Sequence, residues 1–374
     1  MTPDPIMSDC FSSTYAEARS KFLSACRDAG ATTRSYVNPN GLGPEGEELA
    51  TDTAWFGPAD ARNVMLVSSG THGQEFYAGA ATQVYWALSK SYEALPKDCA
   101  VLFVHATNPF GTAVMSRNDE NNVDPNRNFL DHDFGHYTDP DFDLVVDILR
   151  VSAPTEAEYQ RVADTTEALF EKHGHDRIFA LTAEGQFAYP KLGGFAGIAP
   201  VWTNETVRRI VAEQLADAAH VAAIDWHSGV GDPKTLFYLC FDEPGSPEFQ
   251  RACDWWGEEP IVQGTQSFVG HVRPQFRGLL VKGIGQALAP EQAYTKVIIE
   301  FGTYPWSEVR KALLADQWLR FGPGERSNEV VAECRDFMLE RFCPADKDWR
   351  NWAIGAGVDV YGKTLAGLAG TSLR

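Results

Sequence analysis

VMLVSSGTHGQEFYAGAATQVYWAL, Val64 to Leu88, reads as one strand, one turn and one helix. Val64 to Ser69 is an apolar run closed by Gly70, the pattern of a parallel strand buried on both faces. Tyr77, Ala80, Ala81, Val84, Tyr85 and Leu88 then recur at the i, i+3, i+4, i+7 spacing of a helix packed on a sheet. A second buried strand follows, AVLFVHA from Ala100 to Ala106, stopped by Asn108-Pro109. Strand, helix and strand in succession mark an α/β fold.

The flanking sequence extends this reading. Upstream, Ser13 to Ala29 has helical periodicity, with Tyr15, Ala18, Phe22 and Cys26 on one face, and a Gly/Pro/Asn-rich loop is expected around Asn38 to Glu45. Downstream, residues 131–200 are less regular. They hold a charged helix, Thr155 to His173, and a Gly- and aromatic-rich stretch ending in YPKLGGFAG. A helix at Asn204 to Ala218, buried strands at His220 to His227 and Lys296 to Gly302, and a mainly helical tail from Ser307 to Phe342 complete the pattern. No repeat or linker divides the chain. The expectation is one α/β domain over residues 1–374, with an insertion at about 131–200 that either shapes a pocket wall or lid or is a surface excursion without function.

The chain has 374 residues, with 44% hydrophobic and 22% charged, close to ordinary globular proportions, which excludes a disordered chain or a fibre. Its 51 Asp and Glu against 32 Lys and Arg give a net charge of −19. Phosphate binding wants clustered cations, so nucleic acid and anionic membrane are poor partners. Seven cysteines without paired spacing read as reduced thiols. With no basic-then-apolar leader and no apolar run of about 18 residues, a cytoplasmic protein is expected.

Four segments carry chemistry. THGQEF places His72 and Glu75 three residues apart where a buried strand opens into a helix, a spacing that lets both side chains meet at one point. H-x-x-E alone recurs by chance. IDWHSG, however, ends another buried strand with His227, and functional groups in parallel sheets gather at the carboxyl ends of strands. Two imidazoles and one carboxylate, with a fourth position open to water, form a catalytic zinc set.

VIIEFGTY puts Glu300 within or at the end of an apolar strand. A carboxylate there is costly unless it faces a metal, a cation or a catalytic water, and beside zinc it can take a proton from water and pass it to a leaving amine. Met115 to Phe129, MSRNDENNVDPNRNF, offers Arg117, Asn126 and Arg127 as a carboxylate-binding cluster, because guanidinium forks onto carboxylate. His132 and His136 lie in a polar, irregular stretch and read as solvated loop residues.

In this order the segments resemble the zinc metallocarboxypeptidase superfamily, which includes the aspartoacylase and succinylglutamate desuccinylase deacylases. The nearer resemblance is to an uncharacterised, largely bacterial branch of carboxypeptidase-like proteins. It rests on SGTHGQEFYAG, NPFGTAVMSRNDENNVDPNRNF, GQFAYPKLGGF with WTNETVRRI, IDWHSGVG and IIEFGTY, and covers roughly residues 50–305.

The resemblance implies a mixed, mostly parallel sheet flanked by helices and one Zn2+ per chain held by His72, Glu75 and His227. Glu300 would be general base and then acid, and Arg117 would polarise the scissile carbonyl. Asn126 and Arg127 would hold a substrate carboxylate. The implied activity is hydrolysis of a peptide or N-acyl amide by Glu-assisted attack of zinc-bound water. The alternatives are a deacylase of N-acyl amino acids and a non-catalytic carboxylate binder. Pro125 stands where relatives carry Leu, and neither Tyr294 nor Tyr304 is a secure counterpart of the tyrosine that closes over peptide substrates. A chain of charge −19 repels a carboxylate unless local cations offset the field; Arg117, Arg127 and zinc would supply them beside Glu300.

Overall fold

The computed structural model describes residues 6–266 and 275–370. Its centre is a seven-stranded mixed sheet in the order β1-β2-β4-β3-β5-β7-β6. The strands are β1 (Thr32–Leu42), β2 (Glu48–Phe56), β3 (Asn63–Ser69), β4 (Cys99–His105), β5 (His220–Ser228), β6 (Leu236–Leu239) and β7 (Ala293–Phe301). The four central strands, β4, β3, β5 and β7, run parallel to one another, while β1, β2 and β6 join as antiparallel neighbours.

The helices are α1 (Ile6–Asp9), α2 (Tyr15–Asp28), α3 (Phe76–Leu88), α4 (Pro109–Val114), α5 (Glu156–His173), α6 (His175–Ala183), α7 (Trp202–Gln214), α8 (Pro247–Trp256), α9 (Glu258–Gln266), α10 (Leu280–Ala287), α11 (Trp306–Phe321), α12 (Asn328–Phe342) and α13 (Lys347–Gly370). Among the described residues no helix is long and apolar enough to cross a membrane. All seven cysteines are buried, and none of them forms a disulfide.

Alternation along the strands explains why they read as continuous apolar runs. Met65 and Val67 enter one core with Phe22, Phe76, Trp86 and Trp226. Val64 and Leu66 point the other way, onto Val207, Ile210, Leu280 and Ile284. The chain runs from β3 through α3 to β4, then returns to lay β5 on the other side of β3. Strand order therefore reverses at β3, which opens a crevice at the carboxyl ends of the strands.

The loop expected at Asn38 to Glu45 is displaced. β1 continues through Asn38 to Leu42, pairs Leu42 with Glu48 across an irregular register, and turns only at Gly43 to Glu47. Asn38-Pro39-Asn40-Gly41 form the irregular stretch between the paired residues Val37 and Leu42. The helix expected at Asn204 to Ala218 starts at Trp202 and ends at Gln214. The charged helix at 156–173 is as expected, with Thr155 accepting from the Glu158 amide as its cap.

Residues 131–200 build a small core of their own. Phe142, Ile148, Tyr159, Val162, Ile178 and Leu181 pack together with Leu314 and Trp318 of α11.

The 24-residue helix α13 escaped sequence reading because glycines at 355, 357, 362 and 367 lower its helix propensity. Packing demands at least one of them: a Cβ on Gly357 would stand 2.5 Å from the Thr82 Cγ2 of α3. Beside this contact a buried hydrogen-bond relay locks three elements. Trp226 Nε1 donates to Tyr361 Oη (2.9 Å), which donates to Thr82 Oγ1 (2.6 Å), which donates to the Gly79 carbonyl (2.7 Å). The relay fixes Trp226, the residue before His227, at the end of β5.

Candidate metal centre

His72 and Glu75 emerge from the turn between β3 and α3. Gly73 opens the 3₁₀ turn Gly73–Glu75 and lies so close to α4 that a Cβ would meet the Gly111 carbonyl carbon at 1.9 Å. Only glycine allows that approach. His227 is the eighth residue of β5 and is paired in register with Glu300 of β7, so both project from adjacent strand ends.

The three expected ligands converge. His72 Nδ1 lies 3.0 Å from Glu75 Oε1, His227 Nδ1 lies 2.8 Å from Glu75 Oε2, and the two Nδ1 atoms are 3.1 Å apart. All three side chains are buried. On their outer edges the rings meet carboxylates: His72 Nε2 is 3.2 Å from Asp124 Oδ1, and His227 Nε2 is 2.8 Å from Asp225 Oδ2.

This arrangement decides the chemistry. A ring that donates its Nε2 proton to a carboxylate presents a bare lone pair at Nδ1. Two inward lone pairs at 3.1 Å repel unless a cation stands between them. In the metal-free protein a proton plays that part. Burial works against charge on His227, yet Asp225 and then Glu75 hold its pKa well above the usual imidazole range. Burial likewise opposes ionisation of Glu75, but His72 and His227 keep it well below the usual carboxylate range. A divalent metal fits the same position, with N, N and O donors and an outer carboxylate orienting each imidazole.

Asp124 and Asp225 were not assigned from sequence. Asp225 had a readable signal: it lies two residues before His227 on one strand and therefore shares its face. Its Oδ1 accepts from Ser68 Oγ and Thr71 Oγ1, both at 2.8 Å, so its orientation is fixed before it meets the ring. Asp225→Asn should therefore weaken metal affinity about 10–100-fold with little change in fold. Titration against a competing chelator measures this, and an unchanged affinity would leave Asp225 without a positioning role.

The remaining expected residues line the same cavity of about 270 Å³. Glu300 is buried, and its Oε2 has no hydrogen-bond partner among the described residues. Burial, reinforced by Glu75, pushes its pKa up to about 8 against the pull of His227 and Arg117. Arg117 bridges two carboxylates, with Nη1 3.1 Å from Glu75 Oε1 and Nε 3.1 Å from Asp124 Oδ2. Arg127 spends Nε on the Ala183 carbonyl and Nη1 on the Asn126 carbonyl, both at 2.8 Å, and lies 4.8 Å from the Phe276 ring centre. Burial lowers its pKa to about 10.

Asn126 is only partly available, because its Oδ1 accepts from the Leu280 amide at 2.8 Å. Tyr294 and Tyr304 are absent from the cavity wall; their hydroxyls bond the Val281 carbonyl and Glu340. His132 bonds the Asn128 carbonyl at 3.0 Å and lies 5.8 Å from the tilted His136 ring, and neither histidine lines the cavity.

Fold and site together define an α/β protein with a buried His-Glu-His cluster at the strand ends, opposite an orphaned carboxylate. The chain belongs to the family described as protein of unknown function (DUF2817), whose pattern matches residues 11–355. No curated protein matches it. Among solved structures it is similar to carboxypeptidase A from Helicoverpa armigera, at 14% identity and TM-score 0.44, covering 86% of this chain and 73% of that one. It is similar to bovine thrombin-activatable fibrinolysis inhibitor in complex with tick carboxypeptidase inhibitor, at 13% identity, TM-score 0.45 and coverage of 93% and 97%. It is also similar to murein-tripeptide amidase MpaA from Escherichia coli O157, at 17% identity, TM-score 0.36 and coverage of 80% and 97%.

Proposed function

We propose that this chain is a zinc-dependent hydrolase of amide bonds in small substrates that carry a free carboxylate. The observation that carries the reading is one cavity holding three things: two inward-facing Nδ1 atoms with Glu75 between them, the unpartnered Glu300 Oε2, and the Arg127 guanidinium.

His72, Glu75 and His227 would hold the metal. Zinc, when bound there, supplies a Lewis acid that polarises a carbonyl and lowers the pKa of water toward about 7. Glu300 takes the proton from the attacking water at its free Oε2 and delivers it to the departing nitrogen. Arg117, pinned by Glu75 and Asp124, presents positive charge where the carbonyl oxygen becomes negative. Arg127, with Asn126 beside it, receives the substrate carboxylate; Leu239, Phe241, Phe276 and Ile298 nearby form an apolar bed for the adjoining side chain.

Of the two versions of this activity, the geometry favours a deacylase of N-acyl amino acids or very short peptides. Residues of the 131–200 segment, including Ile148, Phe170, Ile178 and Phe179, wall the cavity, and neither candidate tyrosine reaches it. Partners are therefore small carboxylates. Nucleic acid and membrane are not among them.

The test is hydrolysis of N-acyl amino acids and N-blocked dipeptides by the full chain, zinc-loaded and chelated, with each substrate also supplied as its C-terminal methyl amide. The free acids should turn over only with metal, and capping the carboxylate should lower kcat/KM about tenfold to a hundredfold, as expected when a charged hydrogen-bonding partner is lost. Hydrolysis of none of the free acids would overturn the reading in favour of a carboxylate-binding protein. Equal rates on capped substrates would remove Arg127 from its role.

A further inference from the structure

The cavity has two apolar walls with different charge balance. The first, on β6, β7 and residues 276–279, lies beside Arg127. The second is formed by the 131–200 segment and one face of α11, where Trp306, Arg310, Leu313 and Gln317 recur at helical spacing. Arg320 also lines the cavity farther along α11, and the cation bonded to the 131–200 segment is Arg310.

Its guanidinium is incompletely matched. Nη2 donates to Thr166 Oγ1 at 2.8 Å and, at 3.4 Å, to the Ile148 carbonyl. No acidic side chain lies within 4.0 Å of it among the described residues. Lys311 contacts both Glu156 and Glu308 and Arg117 contacts Glu75 and Asp124, whereas Arg320 gives Nη1 to Ser116 Oγ and Nη2 to the Glu120 carbonyl. Glu167, the acid whose field Arg310 feels, is exposed on α5. A cation set among Ile148, Phe170, Ile178 and Leu313 is costly without a counter-charge. Burial accordingly lowers its pKa.

We propose that Arg310 receives a second anion of the substrate, carried beyond the scissile carbonyl, so that the ligand places one carboxylate at Arg127 and another at Arg310. The substrate class is then the half-amide of a dicarboxylic acid with an apolar amino acid. The inference rests on the proposed function only in placing the first carboxylate at Arg127. A second anchoring charge also explains why a strongly acidic chain keeps an unmatched arginine inside its cavity.

The test uses the zinc-loaded full chain carrying Glu300→Gln, so that ligands persist, and compares binding of N-glutaryl-phenylalanine with N-pentanoyl-phenylalanine by calorimetry. The two differ only in a terminal carboxylate against a methyl group. The glutaryl compound should bind about tenfold to a hundredfold more tightly, the range of a charge-assisted hydrogen bond in a desolvated site. With Arg310→Gln added, the ratio should fall to about one, and Arg310→Lys should restore part of it. Were Arg310 only a tether for the wall, both affinities would move together and the ratio would stay. Equal affinities in the Arg310 chain, or a preference that survives Arg310→Gln, overturn the inference. Hydrolysis of the pentanoyl compound by wild type without any glutaryl preference overturns it while leaving the proposed function standing, whereas binding and hydrolysis of neither compound bring down both.

Discussion

Glu300→Gln should lower kcat/KM about 10²–10⁴-fold while leaving metal content and melting temperature close to wild type, the loss expected when a positioned general base is removed. Gln matches Glu in size, and the Oε2 position has no protein partner to lose, so the variant should pack without strain. What disappears is the group that accepts a proton. The pH profile separates this from a packing defect. In the metal-free protein burial and Glu75 raise the Glu300 pKa to about 8, and a nearby divalent cation favours the charged form and lowers it. The base works only when ionised, so kcat/KM should rise with pH through an acid limb centred below about 8, and the residual activity of Glu300→Gln should lack that limb. A variant retaining more than a tenth of wild-type activity would move the base role elsewhere.

The parts of this site that sequence makes legible are those fixed by strand ends. His72, His227 and Glu300 each follow or end an apolar run, and a parallel sheet brings such ends together without further information. Glu75 is legible because only two residues separate it from His72. What stays hidden depends on contacts between distant segments. Asp124 meets His72 across 52 residues, and nothing local distinguishes it from the other acids and amides between Asp119 and Asn128. Asn126 looked like a free amide until the Leu280 amide, 154 residues away, claimed its oxygen. Arg310 sits in a helix whose charged face resembles any solvated one, and only the fold of residues 131–200 against α11 encloses it. The same limit applies to architecture: α13 is stabilised by what Gly357 and Tyr361 touch, not by its own propensity.

In chelated protein the stabilising contribution of the His227, Glu75 and Asp124 cluster should be complete between about pH 4.5 and 6.5 and should be lost above that window, whereas zinc-loaded protein should keep it. The argument follows from the proton that takes the place of the metal. His227 has a folded pKa raised well above 6.5, so its contribution is complete below 6.5 and is lost as pH rises through the folded value. Glu75 and Asp124 have folded pKa values below their ordinary 4.5 and 3.8, so their contribution is present above those values and is lost as pH falls. The two limits bracket the window. Zinc removes the upper one, because it occupies the inward face of His227 in place of the proton, and its binding should release that proton. Calorimetric zinc titration at pH 6 in buffers of different ionisation enthalpy measures the release. His227→Ala tests the same logic from the other side: it leaves Glu75 and Asp225 as buried carboxylates without their shared cation, which should cost about 3–5 kcal/mol in the chelated state and abolish tight metal binding. If the melting-temperature difference between chelated wild type and chelated His227→Ala stays level from about pH 5 to 8.5, no proton bridges the two imidazoles and Glu75, and the case for a cation site at their centre loses its electrostatic basis.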